Sequence, residues 1–188
     1  YQLYSPRNLT TLSIIYDRIQ RLENTSHKQL FLFVFTSILF NSSLMSRYRD
    51  YENTSIKMGT LYIPPSIKDT NVLSNFEAKF KIMVKGNAEI FKNMANVKTK
   101  IICESADKLE SIQNNSIDYI YTDPPYSDII NYSELNIVFE SWLNSKTNLK
   151  DEMIVSKFQN KDIAQYSFRF EKFLKRCKEI LKEGKYLT

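Results

Sequence analysis

Glycine is scarce: Gly59, Gly86 and Gly184 are the only three in 188 residues, and no two stand together. No glycine-rich ligand loop can therefore be drawn within the chain. Cysteine is scarce as well. Cys103 and Cys177 stand alone, without a CxxC pair or nearby histidines, so neither a disulfide framework nor a metal site is expected, and a reducing, cytoplasmic setting fits best. His27 is the single histidine and sits beside a helix start, which suits a polar surface residue better than a general base. The longest apolar run, residues 30–40, is broken by Thr36 and Ser37. At about 11 residues it falls short of the roughly 20 a bilayer span requires, so a buried helix is expected and no membrane partner. No cleavable signal peptide, internal repeat or low-complexity tract is visible.

What is present suits a folded chain. Hydrophobic residues make up 43% and charged residues 25%, well away from the composition of disorder. At 22.2 kDa there is room for one domain with a sizeable helical appendage. A net charge of +5 and an isoelectric point near 9.0 favour a polyanionic partner without requiring one. The chain opens on Tyr1 and stops at Thr188, just after what reads as the start of a strand, so a piece of a longer protein is expected.

The rhythm of apolar residues divides the chain near residue 95. Ser5-Pro6 reads as an N-cap with proline in the first turn, and Leu9, Leu12, Tyr16, Ile19 and Leu22 follow at helical spacing. A second helix, apolar on nearly all sides, is expected from His27 to near Met45. Residues 46–71 read as a long loop with a short strand at 60–63, and a third helix carries Val72, Phe76, Phe80 and Met83 with Gly86 as its stop. Beyond residue 95 the pattern alternates: a strand at 100–103, a short helix at 106–112, a strand at 117–122, then helices marked by Leu135, Val138, Phe139 and Trp142 and by Phe170, Phe173, Leu174, Cys177 and Leu181. Gly184 would end the last helix, with Tyr186-Leu187 opening another strand. Such alternation predicts an α/β fold with a partial parallel sheet behind an N-terminal helical region, the two parts being residues 1–95 and 96–188.

The segment with chemical content is Asp123-Pro124-Pro125-Tyr126, directly after the apolar strand. In an open α/β sheet ligands gather at the carboxyl ends of strands. Methyl transfer to an exocyclic amine needs acceptors for its N–H groups, because the nitrogen lone pair is delocalised into the ring. The Asp123 carboxylate and the Pro124 carbonyl are suited to that task, favouring a more tetrahedral nitrogen. The prolines fix φ and remove competing N–H donors. Tyr126 offers a face on which a base flipped out of a duplex can stack. A tight surface turn also accounts for Asp-Pro-Pro taken alone.

Residues 102–184, with Asn115-Ser116-Ile117-Asp118-Tyr119-Ile120 leading into the tetrad, resemble the catalytic half of amino-methyltransferases with a DPPY motif. Tyr132-Ser133-Glu134-Leu135-Asn136, Trp142-Leu143, Ser5-Pro6-Arg7-Asn8-Leu9 and Tyr62-Ile63-Pro64-Pro65 are similar to a subgroup of large prokaryotic DNA methylases with a helical insertion. The resemblance implies a Rossmann-like methyltransferase fold, S-adenosylmethionine as donor, and DNA as acceptor at adenine N6 or, less often, cytosine N4. It also implies an FxGxG donor-binding loop that these residues lack; in the subgroup it lies upstream, so the chain alone is expected to be inactive. Ser105-Ala106 stands where many relatives have Asp-Ala near the donor's adenine.

Other residues have two readings each. Asp128, Asn131 and Tyr132 could line a base pocket or form a solvated loop. Glu134 suits a helix start by its charge alone. Lys172, Lys175, Arg176, Lys178 and Lys182 read as the solvent side of an amphipathic helix rather than a phosphate-binding face. Arg47, Tyr48, Arg49, Tyr51 and Lys57 alternate basic and aromatic character, a mix suited to nucleic-acid backbones and bases. The chain's end within a sheet suggests an open edge covered by a second copy. Two other functions stay open: an RNA guanine-N2 methyltransferase, and a non-catalytic DNA-binding or assembly module of a restriction-modification protein.

Overall fold

The computed structural model describes residues 3–48, 56–57, 59–94 and 97–188. The chain forms two compact units, Tyr1–Lys98 with Asn136–Ser145, and Thr99–Leu135 with Lys146–Thr188. It is a mixed helix and strand protein whose described strands make one small parallel pair.

The first unit is helical. Helix α1, Pro6–Gln20, starts where Ser5 accepts from the Asn8 amide and Pro6 occupies the first turn. Helix α2, Thr25–Ile38, is capped by Asn24, whose side chain accepts from the His27 amide at 2.9 Å. Helix α3 is Val72–Met94. Leu12, Phe35, Ile38 and Leu39 are fully buried where these helices meet, and Trp142 packs edge-on against Tyr4, Tyr16 and Phe35. Burial pushes the Tyr4 phenol up to about 12.

Asn8 closes this unit. Its side-chain amide, 3% exposed, donates to the Ser42 carbonyl and to Asp69 Oδ1, both at 2.9 Å. Arg7 pairs with the same aspartate at 2.7 Å. Residues that mark the helix start in the sequence thus also fasten two distant loops.

Several expectations are corrected here. Helix α2 stops at Ile38 instead of near Met45, because residues 39–45 turn back and the Leu44 amide bonds to the Leu3 carbonyl at 2.8 Å. Residues 60–63 form no strand; the pairing in that loop is the antiparallel bridge of Arg47 with Ile67. Helix α3 runs through Gly86 rather than ending there. A glycine inside a helix costs about 1 kcal/mol relative to alanine, and the helix formers on both sides outweigh that.

In the second unit, strand β1, Ile117–Ile120, pairs in parallel with β2, Leu181–Leu187. Two further bonds extend the ladder: Thr188 amide to Ile120 carbonyl at 2.9 Å, and Thr122 amide to Thr188 carbonyl at 2.8 Å. The other elements are α4, Tyr132–Leu143, whose residues from Asn136 on belong to the helical unit, a short 3-10 helix, Leu149–Asp151, and α5, Ile163–Ile180.

Strand β2 follows α5 with no intervening loop, so the helix ends at Ile180 and Gly184 lies within the strand. Register slips between the Ile117–Leu181 and Tyr119–Tyr186 pairs, and Gly184 takes φ +71° in that bulge, a conformation that glycine adopts without a Cβ penalty. Residues 100–103 are not a strand, and Ile101 is 95% exposed. Residues 106–112 are turns rather than a helix, with Leu109 at φ +43°.

Candidate active site

The tetrad leaves the carboxyl end of the β1 ladder directly. Thr122 makes the last ladder bond and Asp123 comes next, so the strand sets where the carboxylate emerges. The four residues stay together: the Tyr126 hydroxyl donates to Asp123 Oδ1 at 2.7 Å. That bond to a carboxylate raises the Tyr126 pKa above its ordinary value, with the Asp123 charge and then Tyr132 and Tyr121 adding to the effect. Tyr126 is 60% exposed and Tyr121 80% exposed, so the ring hydrogen-bonded to the carboxylate and that of Tyr121, just after the strand, are both open to solvent.

The turn itself is fastened from behind. The Tyr166 hydroxyl, from the first turn of α5, donates to the Pro125 carbonyl at 2.5 Å. Ser127, at φ +53°, accepts from the Val155 amide at 3.2 Å. Asn131 then caps α4: its carbonyl takes the Glu134 and Leu135 amides, and its side chain donates to Glu134 Oε1 at 3.0 Å. Asn131 and Glu134 are thus engaged with each other at the start of α4.

Glu152 completes that helix start. Its Oε1 accepts from the Ser133 amide at 2.9 Å and its Oε2 from Gln159 Nε2 at 2.7 Å. Burial pushes the Glu152 pKa up, but the bonds from Ser133 and Gln159 and the charge of Lys161 outweigh it, leaving the carboxyl below its usual range. Lys161 Nζ donates to the Leu149 and Glu152 carbonyls. Desolvation lowers the Lys161 pKa, against the opposing charge of Glu152.

Two arginines of α5 hold the approach to β1. Arg176 donates to the carbonyls of Lys108 at 2.8 Å, Leu109 at 2.9 Å and Ile112 at 2.6 Å, and to Asn114 Oδ1 at 2.6 Å. Its side chain is only 14% exposed, which corrects its placement on the solvent side of the helix. The Asn115 and Ser116 amides in turn bond to the Glu179 and Ile180 carbonyls. Arg169 pairs with Asp107 at 3.0 Å and Asp151 at 3.2 Å.

Tyr166, Glu152, Gln159 and the inward role of Arg176 were not read from the sequence. One signal was available: Asp162-x-x-Gln165 is a capping box, present in the structure, which fixes where α5 begins and so where Tyr166 points. The long-range partners carry no local pattern.

Ser105 and Ala106 lie in the turn before β1. The Ser105 hydroxyl bonds to Asp107, and its carbonyl accepts from the Lys108 and Leu109 amides. Gly86 is within a helix, Gly184 within a strand, and Gly59 in a turn at φ +74°. No glycine joins a described strand to a described helix, so the described residues include no loop of the FxGxG kind that the resemblance implies for the donor. Arg47 and Lys57 belong to the helical unit, where Lys57 sits 5.4 Å over the Tyr62 ring. Arg49 and Tyr51 lie outside the described residues.

No described helix is long and apolar enough to cross a membrane. No curated protein and no solved structure matches the chain. The family model for the D12 class N6 adenine-specific DNA methyltransferases matches residues 14–186. Coming on a chain whose parallel ladder leads straight into Asp-Pro-Pro-Tyr, that match over nearly its whole length shows that it belongs to the D12 class of DNA methyltransferases.

Proposed function

We propose that this protein methylates an exocyclic amine of a base flipped out of DNA, adenine N6 in first place and cytosine N4 as the alternative, with Asp123, Pro124, Pro125 and Tyr126 as the site. The family membership supports the reaction class, and the observation that carries the site is the Tyr126 to Asp123 bond at the end of the β1 ladder. The donor is S-adenosylmethionine, as the family implies. The second unit would be the catalytic part of a Rossmann-like domain, and residues 1–95 a helical insertion or appendage.

Asp123 and the Pro124 carbonyl accept the two N–H groups of the target amine. Held that way, the nitrogen gives up part of its conjugation with the ring, and its lone pair becomes available as a nucleophile. Tyr126 stacks on the base and offsets part of the cost of unstacking it from the duplex. Arg47, Arg49 and Lys57 would contact the DNA backbone.

The experiment is methyl transfer by the protein in full from labelled S-adenosylmethionine to duplex DNA, followed by nucleoside analysis. N6-methyladenine is the expected product. N4-methylcytosine would move the choice of base, and unlabelled DNA would overturn the reading.

A further inference from the structure

We propose that Tyr166 is a positioning residue for the tetrad, acting through the Pro125 carbonyl; its catalytic consequence rests on the function proposed above. The proline rings lock φ at 124 and 125, so the soft angles left in the turn are the two ψ rotations. Rotation about ψ of Pro125 swings its carbonyl and the following amide together, and with them the direction of the Tyr126 ring relative to Asp123. The Tyr166 hydroxyl holds that carbonyl at 2.5 Å.

Tyr166 is well placed to act as a fixed post. Its amide bonds to the Asp162 carbonyl at 3.1 Å, and its ring stacks on Phe170 at 6.0 Å with 10° between planes. The start of α5 does not need the hydroxyl, because Asp162 and Gln165 already cap it. The opposite end of the turn is held by the Val155 to Ser127 bond. Residues 125–127 are thus anchored on both sides while the Asp123 and Tyr126 side chains face solvent.

The test is Tyr166→Phe in the protein in full, which keeps the ring and its stack and deletes the hydroxyl. Two readouts are needed. The Tyr126 amide belongs to the same peptide group as the Pro125 carbonyl, so its nitrogen resonance should shift in ¹⁵N-tyrosine-labelled protein whether or not the protein is active. In steady-state kinetics kcat should fall about five- to tenfold, the range one hydrogen bond represents, with KM for DNA and donor within about twofold and a melting temperature lowered by no more than about 4 °C. An unmoved Tyr126 resonance, a wild-type kcat, or a loss of activity matched by lost folded protein overturns the proposal. If wild-type protein transfers no methyl group, the functional reading fails on its own. The amide resonance then decides the anchor alone: a shift supports it and an unmoved signal overturns it.

Discussion

Tyr126 and Asp123, three residues apart on one turn, are joined by a hydroxyl-to-carboxylate bond of 2.7 Å. In the function proposed above, the aromatic platform and the amine acceptor would hold each other before any base arrives, and the incoming amine would have to share or replace that bond. Tyr126→Phe removes the competitor and keeps the stacking face, so activity should stay within about threefold of wild type, less than a typical net hydrogen bond. Tyr126→Ala removes the face and should weaken the flipped-base complex by roughly 1–3 kcal/mol. Fluorescence of 2-aminopurine at the target position separates the two variants.

Arg176 should matter for folding rather than chemistry. Its guanidinium meets three backbone carbonyls and Asn114 at once, a fork that a lysine ammonium cannot reproduce. Arg176→Lys should destabilise the protein by about 2–3 kcal/mol, seen as a lower denaturant midpoint. An unchanged midpoint would show that residues 105–116 hold their shape without it.

Glu152 gives the second unit an acid limit. Its carboxyl lies below the usual range in the fold, so its contribution is fully present above the ordinary glutamate value and is lost as pH falls through the lowered one. Acid titration of the Ser133 amide resonance should show the break. Glu152→Gln should remove that pH dependence.

Tyr4 gives the helical unit an alkaline limit. The fold favours its neutral phenol, with a pKa of about 12 against the ordinary value near 10. Stability from this group is present below the ordinary value and falls as pH rises from there toward the folded value. Urea unfolding at rising pH should show the decline, and Tyr4→Phe should flatten it.

The placement of Asp123-Pro124-Pro125-Tyr126 after a strand was legible because its signals are local: an apolar strand, two prolines and an aromatic occupy adjacent positions. Helices α1, α4 and α5 were legible for the same reason, through Ser5-Pro6 and through apolar spacing. Gly86 and Gly184 misled because glycine marks a helix stop only when the following backbone turns. At 86 the helix formers on both sides carry it through, and at 184 the residue serves a strand bulge instead. Residues 100–103 and 106–112 misled because strand and helix propensities there find no ladder partner and no helical register. Arg176 and Arg169 decide that region from some sixty residues away. The hold of Tyr166 on Pro125 spans 41 positions, and no window of sequence contains it.

The central claim is that Asp123 positions the target amine, and Asp123→Ala tests it most directly. The substitution removes an acceptor used more strongly in the transition state than in the ground state. Methyl transfer by the protein in full should therefore fall by at least about a hundredfold while DNA binding changes little. Methylation at the wild-type rate would contradict the account and leave Asp123-Pro124-Pro125-Tyr126 as a turn with no part in the chemistry.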